Sequence, residues 1–256
     1  MSTSGRNQVV DTPAALEFMR EIAERVNPED LAAISTALSD KSRRLAVLAG
    51  GGARHLDEAA WREVLRSCFP SRRRAGDILE RVGKDRLGAA ADALFEDGEP
   101  LATRLSCFNQ MLCDFRSAQA DLAFELLHFA APDRYWLWAR WIWDPAAGTG
   151  ALPLLVGDEV DLGAGLLGAV PGCERVAAYE TVGEASAMVA GTVRALGLSR
   201  EGPFDLDVFL ACVYGVYMYT VLRMRMTQEF NRIVPELPQL VSRLLGVHHR
   251  EVTTCP

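Results

Sequence analysis

A chain of 256 residues with 49% hydrophobic and 24% charged side chains can bury a sizeable core, and it lacks the charge-rich, apolar-poor character of a disordered chain. Its formal net charge of −7 argues against the basic footprint of a general nucleic-acid binder and favours solubility. Six cysteines (Cys68, Cys107, Cys113, Cys173, Cys212 and Cys255) are scattered without a Cys-x-x-Cys pair, a pattern of buried thiols in a reducing compartment rather than of a zinc or iron–sulfur framework.

Residues 1–12 show no charged region leading into an apolar run. They are expected to be a flexible N-terminus without a secretory signal, which places the protein in the cytoplasm. Asp11-Thr12-Pro13 reads as a helix start with a capping hydroxyl and proline at the first position, followed by Ala15, Phe18, Ile22 and Val26 on one face. Asn27-Pro28 repeats the device, with Leu31, Ile34 and Leu38 inward and a separate helical turn from Arg44 to Leu48. Gly50-Gly51-Gly52 then ends the run; with no Lys-Ser/Thr behind it, it reads as a turn and not as a phosphate loop.

Asp57 caps a helix carrying Trp61, Val64, Leu65 and Cys68, and Pro70-Ser71 breaks it. The segment Arg62–Arg86 holds eight basic residues against four acidic ones, the one basic concentration in an acidic chain. Arg72, Arg73 and Arg74 at its centre are candidate contacts for an acidic partner or a phosphate. Leu87, Ala90, Ala91 and Leu94 mark a short helix, and Leu101, Leu105, Phe108, Leu112 and Phe115 a longer one. Residues 13–116 therefore form a half built of short helices.

Residues 117–246 read as an aromatic-rich helical core. Leu122, Leu126 and Phe129 recur at helical spacing before Pro132 interrupts. A second helix is predicted from there to Asp144-Pro145, apolar almost all round, with Trp136, Trp138, Trp141 and Trp143 within eight positions. It is too short to span a bilayer. Arg140 is spaced to lie between the indoles of Trp136 and Trp143, which offers an aromatic-walled pocket presenting a cation to an anionic ligand.

Residues 144–172 are rich in glycine, with Pro153 and Pro171. They read as a covering loop in which 152–156 and 160–162 allow one small β-hairpin. The literal Gly163-x-Gly165-x-x-Gly168 lacks both the preceding strand and the following helix of a dinucleotide site. Two long helices follow, Glu174 to Leu196 and Asp205 to Ile233, the second uncharged from Val208 to Leu222 and bearing Tyr214 and Tyr217. A short helix from Gln239 to Leu245 precedes a tail, 247–256, expected to be flexible.

The fold class predicted is mostly α, a single multi-helix globular domain of about ten helices. The polar set with the most chemistry is Asp121, Glu125 and His128. Glu125-x-x-His128 puts a carboxylate and an imidazole on one helix face, a spacing used for metals and for acid–base catalysis, with Asp121 one turn earlier. Completing a site requires donors from other helices, for which Glu180, Glu184 and Glu229, with Tyr214 or Tyr217, are the candidates. The alternative is a histidine bonded to its neighbouring glutamate inside a core.

No motif specifies a cofactor or decides whether the protein is an enzyme. The first functional expectation is a helical accessory or protein-interaction protein with another protein as partner. The first alternative is a helical enzyme or small-ligand binder built on a buried Glu125/His128 cluster, with or without a metal. The second is nucleic-acid or anion binding through Arg62–Arg86.

Overall fold

Side chains that accept backbone N–H groups start the first helices. Asp11 Oδ1 accepts from Ala14 N at 3.0 Å and opens α1, Thr12–Arg25; the cap is this carboxylate and not the Thr12 hydroxyl. Asn27 Oδ1 accepts from Asp30 N at 2.8 Å and opens α2, Pro28–Ala49, and Asp57 does the same for α3, Glu58–Ser67. Each cap satisfies donors that have no partner within the helix.

The computed structural model describes residues 10–119, 121–157, 160–163, 174–196, 202–225 and 235–247. Glu229, His248, His249, Cys173, Cys255, residues 1–9 and most of Gly163-x-Gly165-x-x-Gly168 lie outside them. The remaining helices are α4 (Ala75–Val82), α5 (Lys84–Phe95), α6 (Leu101–Met111), α7 (Arg116–Gln119), α8 (Leu122–Ala130), α9 (Glu174–Ala195), α10 (Asp205–Arg225) and α11 (Leu237–Leu244). The protein is a single, mostly helical domain. Among the described residues β pairing is confined to two isolated bridges, Val10 with Val156 and Asp144 with Thr149, and no helix is long and apolar enough to cross a membrane.

All nine residues of α8 are buried. It is the axis of the fold: α2 lies along it, and α5 and α6 also pack on it. α10 contacts α1, α2, α9 and α11. α2 runs unbroken for 22 residues, so the separate turn expected at Arg44 to Leu48 is its last part. Its inward stripe is Ile34, Leu38, Lys41, Leu45 and Leu48, a four-three-four-three repeat that keeps one face toward α8. The packed chain reaches back to Val10, which is buried beside Val156, while Asp11 N donates to Leu155 O at 2.8 Å.

Two further expectations are corrected. The hairpin at 152–162 does not form from its first arm: Leu152–Leu154 is a 3₁₀ turn with Pro153 near its start, a position where the missing N–H costs nothing.

The tryptophan-rich segment is not a helix either. After the turn at Pro132, residues 135–139 are irregular strap, and the chain turns again through 140–142. The carbonyl of Tyr135 faces His128 Nδ1 at 2.8 Å, and Trp136 N donates to the Tyr179 hydroxyl at 2.7 Å. Those backbone groups would have served a helix internally, and side chains from neighbouring elements hold them in the strap. Trp138 Nε1 donates to Trp143 O at 3.0 Å, and the Trp138 ring stacks on Trp143 and lies against Phe124 of α8.

Candidate functional site

α8 carries two buried polar knots, and α10, which supplies a partner to one of them, also lines a cavity. In the first knot, Lys41 Nζ donates to Glu125 Oε1 at 2.7 Å and to Leu245 O at 2.8 Å, and sits 3.7 Å from the centre of the Phe129 ring. Glu125 also accepts from Phe69 N, at 3.0 Å to Oε2. Lys41 is 1% exposed and Glu125 4%, so the ammonium and carboxylate have replaced water almost wholly with each other and with backbone groups.

Burial pushes the Glu125 carboxyl above the ordinary glutamate range, against the opposing pull of the Lys41 charge and hydrogen bond and the Phe69 amide. Burial, with Glu125 nearby, raises the Cys68 thiol to about 12, which makes it inert. Gly246 closes the knot at φ +68°, and a Cβ there would press on Ser67 O and come within 2.9 Å of Lys41 Nζ.

In the second knot, His128 Nε2 is 2.8 Å from Asp207 Oδ2 of α10, and Nδ1 faces the Tyr135 carbonyl. A carboxyl oxygen at one nitrogen and a carbonyl at the other suit the imidazolium form, in which both nitrogens donate. Burial works to lower the His128 pKa, but the Asp207 charge, its hydrogen bond and the Tyr135 carbonyl outweigh it and the net shift is upward.

Glu125 and His128 thus share a helix but not a site. Each takes a partner from elsewhere, Lys41 and Asp207, neither of which sequence spacing singled out. Asp121 turns to Arg140, whose Nε donates to Asp121 Oδ2 at 3.0 Å; the expected position of Arg140 between two indoles is therefore not realised. Glu180 and Glu184 are exposed and do not converge on α8. Tyr214 lies against Trp141 and Tyr217, with ring centres at 6.4 and 6.2 Å. Among the described residues no group of three or more His, Cys, Asp or Glu side chains is placed to hold a metal ion.

Of the arginines, Arg74 pairs with Asp77 on the surface at 3.2 Å and Arg73 is exposed. Arg72 lies over the Phe69 ring at 4.8 Å and donates from Nη1 to Arg243 O at 3.3 Å.

The cavity, about 290 Å³, lies between α1, α2, α9 and α10. Met19, Ile22 and Leu31 line it from α1 and α2, and Val193, Phe209 and Cys212 from α9 and α10. Trp136 also lines it, and Arg140 does not. Ile22, Phe209 and Cys212 are buried and mark the inner end, whereas Trp136 and Arg194 are exposed and mark the solvent side.

The charged or hydroxyl-bearing side chains at the cavity are Ser35, Arg194 and Asp205. Burial raises the Cys212 thiol to about 12, so it contributes apolar surface and not a nucleophile. One turn of α10 serves both features: Leu206, Val208 and Phe209 line the cavity while Asp207 holds His128. Compared with known protein families, with curated proteins and with solved structures, the chain matches none.

Proposed function

We propose that the protein binds a small, largely apolar ligand in the cavity between α1, α2, α9 and α10. The observation that carries this reading is a contrast within the core. Glu125 and His128, the polar pair on α8, have their hydrogen-bonding atoms engaged by protein partners and do not line the cavity, whereas the cavity is walled by apolar side chains with few polar ones. Binding sites for small molecules have that make-up: apolar walls supply affinity and a few polar groups fix orientation. The volume equals about ten waters' share of the liquid, which sets the scale of the ligand.

A titration with 1-octanol, followed by intrinsic tryptophan emission, tests the reading. A saturable change that disappears in Ala190→Phe, which fills the cavity from α9, is the expected result. An unresponsive wild-type protein overturns it.

A second reading, docking of an acidic protein partner, draws on Arg72, Arg73 and Arg243. None of the three forms an ion pair among the described residues, and the neighbouring Phe69 is exposed. Reversal of charge at Arg73 and Arg243 abolishes capture of such a partner on this reading, and capture that survives the reversal counts against it.

A further inference from the structure

We infer that the ligand of the cavity is a medium-chain monocarboxylate, its chain against Phe209 and Cys212 and its carboxylate on the Arg194 guanidinium; this rests on the ligand-binding reading above. The carboxylates at and beside the cavity already have partners. Asp205 Oδ2 accepts from Gly202 N at 3.0 Å at the start of α10, and a carboxylate is also stabilised there by the positive end of the helix. Asp207 is spent on His128. Arg194 forms neither an ion pair nor a side-chain hydrogen bond among the described residues, and it is exposed at the last turn of α9.

A guanidinium offers a planar set of donors that matches a carboxylate in a bidentate fashion. Among the described residues the charged side chain at the solvent side without a partner is therefore the Arg194 guanidinium, and the ligand group complementary to it is an anion. The inner end sets the rest of the ligand. Ile22, Phe209 and Cys212 are buried, and with its thiol raised to about 12 Cys212 stays neutral. A second charged or strongly polar group placed there would lose its water without gaining a partner. The volume of about 290 Å³ matches a molecule with about ten non-hydrogen atoms, judged by water's share of the liquid. Octanoate is of that size.

The test compares octanoate, 1-octanol and octylamine, which share a chain and differ in head group, by titration calorimetry at neutral pH. Octanoate is expected to bind about tenfold more tightly than 1-octanol, the effect of a charge-assisted contact at a partly exposed site. Arg194→Gln is expected to bring octanoate to the level of 1-octanol and leave 1-octanol unchanged. Rising salt is expected to weaken octanoate alone.

Equal binding of octanoate and 1-octanol, or tightest binding of octylamine, overturns the carboxylate assignment while leaving the cavity reading intact. Octanoate binding that persists in Ala190→Phe also overturns it, because the acid is then held elsewhere. If none of the three binds, both the cavity reading and this inference fall.

Discussion

Lys41 sits at a core position of an otherwise aliphatic stripe, and a buried ammonium there is tolerated because Glu125 and Leu245 O receive it. Replacing Lys41 with methionine keeps most of the volume but leaves the Glu125 carboxylate buried with only Phe69 N as donor. The expected loss is roughly 3–5 kcal/mol, the cost of breaking a buried pair from one side. In urea denaturation, the double variant Lys41→Met with Glu125→Gln should recover much of that loss; a double variant no better than the single one would show that the charge is not the cause. His128 gives a prediction in pH. Its folded pKa is raised above the ordinary 6.5 by Asp207 and Tyr135 O against burial and the nearby Lys41 charge, so the folded state holds the proton more tightly than the unfolded one. The stabilisation is complete below pH about 6.5 and is lost as pH rises through the folded pKa. Stability measured by chemical denaturation should fall over that range in the wild type and less steeply in His128→Gln.

The elements were legible in the sequence where local chemistry decides them. Asn27, Asp57 and the proline beside each of the first two helix starts announce those helices, and the spacing of Leu122, Leu126 and Phe129 announces α8. The tryptophan strap was not legible because its shape is decided by distant groups, His128 Nδ1 and the Tyr179 hydroxyl taking Tyr135 O and Trp136 N. A perimeter apolar on every side fits a buried strap as well as a buried helix. The buried pairs were half legible: Glu125 and His128 stand out on an apolar helix, and Lys41 falls on the period of Ile34, Leu38, Leu45 and Leu48, but nothing local connects Lys41 to Glu125 or His128 to Asp207. The strap also depends on α9, since a Cβ at Gly183 would lie 2.5 Å from Trp136 Cδ1. Gly183→Ala should gain about 1 kcal/mol of helix propensity yet displace the indole. Altered tryptophan emission and weaker binding of 1-octanol, with little change in melting temperature, are expected. Unchanged emission and binding would show that the seat of Trp136 does not shape the cavity.

At the scale of the molecule, α8 is the element from which release is hardest. Burial of all nine residues supplies the apolar contribution, and the two knots add ties of a different kind. Lys41 joins it to α2 and, through its own bond to Leu245 O, to the end of α11; Phe69 N joins it to the segment after α3, and Asp207 to α10. Freeing α8 while the rest stays folded would part Lys41 from Glu125 and Asp207 from His128, leaving Lys41 with Leu245 O alone, a cost several times that of one neutral hydrogen bond. Local opening of α8 is therefore more costly than parting the surrounding helices along with it, and its amides should exchange with solvent only through global unfolding. Native-state hydrogen exchange in rising denaturant measures this. The amides of Phe124 to Ala130 should show the full global free energy and its full denaturant dependence, whereas Ala146 and Ala147, which donate to Asp144 Oδ1 in an exposed turn, should exchange by local fluctuation. A denaturant-independent opening of α8 well below the global value would mean that the knots do not bind the surrounding helices into one cooperative unit.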